Sequence, residues 1–445
     1  MTETKSRKQN EIREGTGKAS ASARTIALGL LGACLCKRMP LEEALAGEPG
    51  MAGLSQRDRA FTRLLAATAL RRLPQLDAVI GRALREPLAP EATVVQDILR
   101  LGAVQLLFLG TPAHAGVGES VALAEPAGYL RFKNLINAVL RRLSREGGAW
   151  IAEQEEARVN TPDWLWRSWS AAYGEARCDA IARVHLQAPP LDFTPRGETT
   201  GLEDMAGARR LTTGSLRLSE AAPVAELPGY TEGAWWVQDA GAALPARLFG
   251  DVAGRSIVDL CAAPGGKTAQ LASAGAEVTA VDRSASRMAR LGGNLERLKL
   301  EATCVTADAA KWRPASPVDG VLLDAPCSST GTIRRHPDIQ RLKAEADIAR
   351  LTVIQDRLLI AALDMLRPGG TLVYCTCSLQ PEEGEQRIAA LLAAGAPAEL
   401  APIGAGEVGG EKAFLTKLGE LRTLPCHWPE WGGIDGFYAA RLRRL

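Results

Sequence analysis

The fold class of this chain is indicated most clearly by residues 256–268, which read Ser-Ile-Val-Asp-Leu-Cys-Ala-Ala-Pro-Gly-Gly-Lys-Thr. This stretch begins with a short apolar run typical of a buried strand, and the run leads into a loop that opens a helix. In that loop Pro264 pushes Ala263 out of helical geometry, and the two following glycines let a ligand approach the backbone closely. The helix N-terminus can hold an anion such as a carboxylate. The closing Gly-Lys-Thr also ends a phosphate-binding P-loop, but that motif requires glycine where Cys261 stands, so we set this interpretation aside.

Short apolar runs and helical stretches alternate from about residue 250 onward. This alternation is typical of a parallel sheet with helices on both faces, and it predicts an α/β, Rossmann-like domain. Besides 256–260, we predict strands at 277–281, 302–307, 320–323 and 371–375, and two more between Phe414 and the C-terminus, the second at 436–442.

Two aspartates, Asp282 and Asp308, stand at the ends of successive predicted strands. In a doubly wound sheet, an acid at the first of these positions can accept both hydroxyls of a ribose that lies at the switch point. A single aspartate after a strand is more often a helix cap. Because the glycine-containing loop and both acids follow successive strands, one adenosine-shaped site explains them better than separate caps.

Cysteines follow two further predicted strands, in Leu-Asp-Ala-Pro-Cys at 323–327 and in Tyr-Cys-Thr-Cys-Ser at 374–378. Cys327 and Cys377 are 50 residues apart, but the carboxyl ends of parallel strands share one edge of a sheet. We therefore expect both thiols at the edge that carries the aspartates. A free cysteine is usually a buried small hydrophobic residue, and Cys375 fits that description.

The remaining thiols and imidazoles do not predict a metal site. Cys375, Cys377, Cys426 and His427 lack the spacings of zinc ribbons and fingers. With four histidines in the chain, histidine-centred catalysis is also disfavoured. His336 lies in the basic loop 334–338, which either binds phosphate or forms a solvated turn.

The N-terminal half has helical character. Residues 1–20 are predicted to be a flexible tail, and residues 21–148 are rich in Ala, Leu and Arg with helical spacing. The clearest helix is predicted at 131–145, with an apolar stripe of Phe132, Leu135, Ile136, Val139, Leu140 and Leu143. The side chains that fall away from this stripe form either a solvated face or a phosphate-binding face: Arg131, Arg141, Arg142 and Arg145. Residues 149–248, with a Trp-rich helix at 164–173, are predicted to form a small α+β connector, and residues 249–445 the Rossmann-like domain.

Composition narrows the class of protein. A chain of 445 residues exceeds what one hydrophobic core organises, and 46% hydrophobic with 23% charged residues is typical of globular proteins. Because the net charge is only +2, RNA binding has to rest on local basic faces. Nine cysteines without a framework pattern indicate reduced thiols, and we find neither a signal peptide nor a run of about 18 apolar residues. We expect a cytoplasmic protein with no membrane association.

On these motifs the chain resembles the RsmB (Fmu/Sun) family of bacterial 16S ribosomal RNA cytosine-C5 methyltransferases. The resemblance covers the C-terminal half in the family's order, through DLCAAPGGKT at 259–268, AVD at 280–282, DAPCSSTGTIRRHPDI at 324–339, YCTCSLQPEEGE at 374–385 and DGFYAARL at 435–442. The N-terminal half is similar to the family's NusB-like RNA-binding domain, with a weaker match at 112–125 and 134–143. Two features depart from the pattern: Gly384 stands where the family commonly has Asn, and residues 192–196 are an unusual version of the connector's LRxN segment.

The resemblance implies S-adenosylmethionine as the cofactor and assigns the residues that hold it. Its ribose would meet Asp282, its adenine would lie by Asp308, and Asp324 would lie near both cofactor and target base. The methionine moiety would lie on the loop formed by Cys261, Ala262, Ala263, Pro264, Gly265, Gly266 and Lys267.

The resemblance also implies a covalent mechanism on RNA. C5 of cytosine is a poor nucleophile, so Cys377 as a thiolate would first add to C6 and make C5 enamine-like. Cys327 would assist product release, a protonated Asp324 would hydrogen-bond N3, and Lys267 would either orient the base or serve only the cofactor loop. The partner implied is 16S rRNA, with the target base extruded from its stack. The alternatives are the same chemistry on tRNA or another RNA, and a non-catalytic RNA-binding or antitermination protein, against which the intact cysteines argue.

Overall fold

The structure is a computed structural model that describes residues 22–197, 201–205, 207–218 and 223–445. The chain divides into two compact units between Asn160 and Thr161. The tail predicted at residues 1–20 lies outside the described residues.

The first unit is helical, as predicted. Its helices are α1 (Ala23–Leu35), α2 (Leu41–Ala46), α3 (Gln56–Arg71), α4 (Leu73–Ala83), α5 (Thr93–Leu107), α6 (Ala113–Ala122), α7 (Lys133–Ala152) and α8 (Glu156–Asn160). Helices α5 and α7 approach each other closely at Gly102. A methyl group on this glycine would lie only 2.6 Å from a terminal carbon of Leu140.

Helix α7 carries most of the apolar stripe predicted at 131–145. Its buried side chains include Ile136, Val139, Leu140 and Leu143. Phe132 precedes the helix, in a 3-10 turn over Leu130–Phe132. The domain boundary predicted after residue 148 falls inside α7.

The basic face of this region is narrower than the sequence predicts. Arg131, Arg141 and Arg145 are exposed. Arg142 lies over the ring of Trp150, 5.2 Å from its centre, and pairs with Glu146 at 3.2 Å. Arg142 is therefore partly covered, and Arg131 and Arg145 also have contacts, over the Phe132 ring at 4.9 Å and with Glu146 at 3.8 Å.

The second unit begins with two helices and a small antiparallel sheet. The helices are α9 (Asp163–Tyr173) and α10 (Glu175–His185), and the strands are β1 (Leu191–Pro195), β2 (Ala208–Arg210), β3 (Leu216–Leu218) and β4 (Trp235–Val237), in the order β2-β3-β1-β4. The rings of Phe193 and Trp235 pack edge to face in the core of this sheet, 4.6 Å apart. Asp192, at the start of the unusual segment 192–196, is buried and pairs with both ends of the Arg217 guanidinium at 2.6 and 2.7 Å.

The larger sheet is mixed. Its strands are β5 (Ser256–Leu260), β6 (Glu277–Asp282), β7 (Thr303–Thr306), β8 (Val318–Asp324), β9 (Leu366–Thr376), β10 (Ala398–Leu400), β11 (Leu421–Thr423) and β12 (Phe437–Arg444). They lie in the order β10-β12-β9-β8-β5-β6-β7, with β11 also paired to β12. The run β9-β8-β5-β6-β7 is parallel, and β12 is antiparallel to β9. Because β6 and β8 lie on opposite sides of β5, the switch point is at the carboxyl end of β5.

Helices cover both faces of this sheet, which confirms the Rossmann-like prediction. They are α11 (Ala240–Arg247), α12 (Gly266–Ser273), α13 (Ala285–Leu298), α15 (Glu345–Met365) and α16 (Glu385–Ala393), whereas the short α14 (Ile339–Leu342) packs through Ile339 with α9 and α10. Val258 belongs to a core shared with Leu358 of α15, whereas its neighbour Ile257 belongs to a core shared with Leu244 of α11 and Leu271 of α12. Successive residues of a strand face opposite sides, so the near-continuous apolar run of β5 follows from burial of both faces.

The basic loop at 334–338 has neither of the roles predicted for it. The Arg334 guanidinium is fully buried and donates to Asp435 at 2.6 Å and to Asp239 at 2.7 Å. Arg335 pairs with the same two carboxylates. These ion pairs compensate the cost of burying the arginine charges. Through them the loop joins the start of α11 to the turn before β12, and its arginines are neither solvated nor free to bind phosphate.

Candidate active site

The loop after β5 has the shape that a closely held ligand requires. Cys261 and Gly265 both have positive φ, 61° and 101°, and α12 starts directly afterward at Gly266. A Cβ atom on Gly265 would lie 2.7 Å from Leu291 Cγ of α13. Glycine is therefore required at this position for both conformation and space, and the backbone of the loop is left uncovered by a side chain there.

Asp282 ends β6 beside this loop and is buried. Its Oδ2 accepts a hydrogen bond from Ala263 N at 3.2 Å, and its Oδ1 accepts one from Ser284 N at 2.9 Å. Arg287 lies 3.6 Å from Asp282 Oδ2 and donates to the carbonyl of Ala263. The aspartate thus fixes the loop after β5 against the end of the neighbouring strand, whereas the N-cap of α13 is Ser284 and not Asp282.

Asp308 follows β7 at the same edge of the sheet and is exposed. Its Oδ1 accepts a hydrogen bond from Ala310 N at 3.0 Å. Among the described residues, no group donates a hydrogen bond to its Oδ2, so this exposed carboxylate is able to accept a further hydrogen bond at the edge of the sheet.

Lys267 and Asp324 form an ion pair across the site. Lys267 lies in the first turn of α12, Asp324 ends β8, and Nζ donates to Oδ2 at 2.7 Å. Burial lowers the pKa of Lys267, but the charge and hydrogen bond of Asp324, together with its other acidic neighbours, outweigh burial and hold that pKa above its usual value. The ammonium also lies 5.1 Å from the centre of the Phe437 ring. The sequence places both residues at the site but gives no indication that they pair.

Beneath this pair, Asp259 is a fully enclosed carboxyl group. Thr268 donates to its Oδ2 at 2.6 Å, whereas its buried Oδ1 has no hydrogen-bond partner. Burial raises the pKa of Asp259 to about 7, because the charged form loses its hydration. This residue belongs to the quoted motif, but sequence reasoning assigned it no role.

The two predicted thiols meet at the carboxyl edge of β8 and β9. The Sγ atoms of Cys327 and Cys377 lie 3.5 Å apart, and both side chains are partly buried. The hydrogen bond to Cys377 and burial raise the pKa of Cys327 well above its usual value. Cys375 is fully buried in the core, as its predicted role as a small hydrophobic residue requires. In Cys261, burial raises the pKa to about 12.

Of the residues considered as metal ligands, His427 makes ring-stacking and backbone contacts. His427 stacks on Phe414 with ring centres 5.2 Å apart, and its Nδ1 accepts from Leu424 N at 3.2 Å. Burial lowers the pKa of His427 to about 4. Across the described ranges of the chain, we find no group of three or more His, Cys, Asp or Glu side chains that could hold a metal ion. In the same residues, no helix has both the length and the apolar composition needed to cross a membrane.

A glycine-containing loop at the switch point and acids after the next two strands define this as a Rossmann-like α/β domain, a class in which ligands bind at the carboxyl edge of the sheet. Comparison with known proteins makes the class specific. Residues 249–443 match the family described as 16S rRNA methyltransferase RsmB/F, and residues 21–145 match the NusB family. The chain belongs to the RsmB/F family of small-subunit rRNA methyltransferases, as the motifs predict.

Two curated relatives and two solved structures illustrate the similarity. Ribosomal RNA small subunit methyltransferase B of Pseudomonas syringae pv. tomato is 37% identical over 87% of this chain and 90% of its own length. The protein of the same name from Pseudomonas putida is 36% identical over 95% and 98%. The crystal structure of PH0851 has a TM-score of 0.75 at 21% identity and covers 95% of this chain and 99% of its own. A methyltransferase homologue from Pyrococcus horikoshii has a TM-score of 0.53 at 24% identity and covers 65% and 98%.

Proposed function

We propose that this protein transfers a methyl group from S-adenosylmethionine to C5 of a cytosine in 16S rRNA, through a covalent bond between Cys377 and C6. The observation that carries the proposal is the placement of two thiols 3.5 Å apart at the sheet edge that also bears the Lys267–Asp324 ion pair. The names of the relatives support small-subunit rRNA as the substrate.

The residues at the switch point fit the cofactor. The loop Cys261–Lys267 leaves its backbone accessible at Gly265, the N-terminus of α12 favours a carboxylate, and Asp282 and Asp308 offer acceptors for a ribose and an adenine. Asp324 lies at the end of the adjacent strand. When bound, the cofactor supplies an electrophilic methyl carbon on a sulfonium.

Cys377 makes the poorly nucleophilic C5 reactive. Its thiolate adds to C6, a carbon–sulfur bond forms, and the electron pair of the former C5–C6 double bond moves toward C5 and the ring oxygen and nitrogen. Once C5 carries the methyl group, a base takes the C5 proton, the double bond forms again, and the C6–sulfur bond breaks with release of the Cys377 thiolate. Cys327, in contact with Cys377, is placed to assist this last step.

The ion pair suggests how the base is held. Asp324 Oδ2 already accepts a hydrogen bond from the Lys267 ammonium, so we propose that this carboxylate also accepts one from the exocyclic N4 amino group of cytosine rather than donating one to N3. Uracil carries an oxygen at that position, which the carboxylate would repel. The ammonium beside it stabilises negative charge that develops on the ring.

The experiment measures methyl transfer from labelled S-adenosylmethionine to 16S rRNA, with digestion to nucleosides and identification of the product by mass spectrometry. We expect 5-methylcytidine with the wild type, none with Cys377→Ala, and nearly unchanged product with Cys375→Ala, whose thiol lies two residues earlier, inside β9. Parallel reactions with tRNA test the substrate. A different methylated nucleoside, or 5-methylcytidine from Cys377→Ala, would contradict the proposed chemistry.

A further inference from the structure

Glu383 is a fully buried carboxylate close to the two thiols. It lies in the 3-10 turn Pro381–Glu383 that follows β9. Its Oε1 accepts from Ser328 N at 2.9 Å and from Gln355 Nε2 at 3.0 Å, and its Oε2 accepts from Ser328 Oγ at 2.5 Å and from Ser378 Oγ at 2.6 Å. Among the described residues, no Lys or Arg forms an ion pair with Glu383, so neutral donors hold its carboxylate.

These donors belong to the segments that carry the thiols. Ser328 directly follows Cys327, and Ser378 directly follows Cys377. The Glu383 side chain therefore accepts hydrogen bonds from the residue next to each thiol, and the hydrogen bond from Gln355 links the same carboxylate to α15. A backbone hydrogen bond from Gly331 N to Cys377 O, at 2.9 Å, also joins the two loops. It holds the two backbone segments together but does not fix the directions of the thiol side chains.

Burying a carboxylate is costly unless hydrogen bonds satisfy it, and a hydrophobic residue of similar size would avoid that cost. The hydrogen bonds to Ser328 and Ser378 explain why a carboxylate occupies position 383. We propose that Glu383 is a positioning residue that sets the separation of the Cys327 and Cys377 sulfur atoms by clamping Ser328 and Ser378. This inference rests on the proposed function for its catalytic consequence, but the clamp itself is a property of the protein alone.

Three substitutions at Glu383 separate clamping from mere stability. Glu383→Ala removes every acceptor. Glu383→Gln keeps an oxygen for Ser328 N and an amide that can donate to serine hydroxyls, which can turn and accept. Glu383→Asp keeps the charge but is one methylene shorter. Displacement of a reacting group by about 1 Å costs about 100-fold in rate, so we expect kcat to fall about 100-fold in Glu383→Ala and in Glu383→Asp, and about tenfold or less in Glu383→Gln. The KM for S-adenosylmethionine should stay unchanged, because the cofactor loop is not in contact with Glu383.

A second measurement needs neither cofactor nor RNA. Diamide oxidises two neighbouring thiols to a disulfide, taking up their two electrons and two protons as it is reduced to the hydrazine. The rate of Cys327–Cys377 disulfide formation, followed by peptide mass spectrometry, reports the sulfur separation directly. We expect rapid formation in the wild type and at least about tenfold slower formation in Glu383→Ala, because the sulfur atoms leave attacking distance. Glu399→Gln is the matched control, since Glu399 is a largely exposed carboxylate 4.0 Å from Arg443, and it should match the wild type in both assays.

Each outcome decides the proposal. Wild-type rates of disulfide formation together with wild-type kcat in a folded Glu383→Ala would overturn it. If Glu383→Ala does not fold, Ser328→Ala and Glu383→Gln carry the test: slower disulfide formation in Ser328→Ala with near wild-type behaviour in Glu383→Gln supports the clamp, and wild-type rates in both contradict it. If the wild type forms no 5-methylcytidine, the proposed function fails, and the disulfide rates still decide whether Glu383 positions the thiols.

Discussion

Cys327 and Cys377 differ in environment although their sulfur atoms are in contact. The pKa of Cys327 lies well above its usual value, because of its hydrogen bond with Cys377 and its burial. A thiol that keeps its proton can donate to the neighbouring sulfur and stabilise a Cys377 thiolate. After methyl transfer, the same group lies next to the bond that has to break. The contact at 3.5 Å is symmetric, so it brings the two thiols together, and the proposal of Cys377 as the nucleophile rests on the family motifs.

Asp259 gives a prediction about stability and pH. Burial raises its pKa from 3.8 to about 7, so the folded state holds this proton more tightly than the unfolded chain. Stability contributed by the neutral carboxyl is thus present at low pH, is lost progressively as the pH rises above about 4, and levels off above about 7. Asp259→Asn can still accept from Thr268 and removes this dependence, so we expect it to be the more stable protein at pH 8, by up to about 4 kcal/mol.

The measurement is urea unfolding of both proteins between pH 5 and pH 8. Asp364→Asn, which changes an exposed carboxylate, is the control and should keep the wild-type slope. Parallel wild-type and Asp259→Asn curves across this range would show that Asp259 is not the titrating group.

At the scale of elements, we propose that the β5–α12 connection controls cofactor binding. Gly265→Ala introduces a side chain at a φ of 101° and directs its Cβ to within 2.7 Å of Leu291. Because the loop has to shift, we expect the Kd for S-adenosylhomocysteine, measured by titration calorimetry, to rise at least about tenfold. Gly292→Ala in α13, with no atom within 4 Å of the added methyl group, should leave affinity unchanged. Equal affinity of Gly265→Ala and the wild type would remove this loop from the cofactor site.

The elements that could be predicted are those whose signal is local. The apolar runs of β5, β6, β8 and β9 are long enough to identify, because burial on both faces requires near-continuous apolar sequence. Strand β10 has only three residues, Ala398–Leu400, and gives no such pattern. The burial of Arg334 could not be predicted, because its partners Asp239 and Asp435 lie 95 and 101 residues away in sequence.

At the scale of the whole molecule, topology predicts which side chains share an edge but not how they touch. The parallel order of β8 and β9 brings Cys327 and Cys377 to one edge, as expected from the sequence. The contact between their sulfur atoms, the Lys267–Asp324 ion pair and the buried contacts of Glu383 depend on side-chain directions and on a 3-10 turn, which single-sequence patterns do not specify. The motif containing Glu383 is visible in Gln-Pro-Glu-Glu at 380–383, but only the folded chain gives it a role.

The mechanism that we propose requires Cys377 to form the covalent bond to RNA. The most direct measurement uses Cys327→Ala, in which release of the product is expected to be slow, incubated with 16S rRNA and S-adenosylmethionine. After nuclease and protease digestion, mass spectrometry should find a methylated cytidine attached to the peptide that contains Cys377. An adduct on any other cysteine, or 5-methylcytidine formed at the wild-type rate by Cys377→Ala, would contradict the claim.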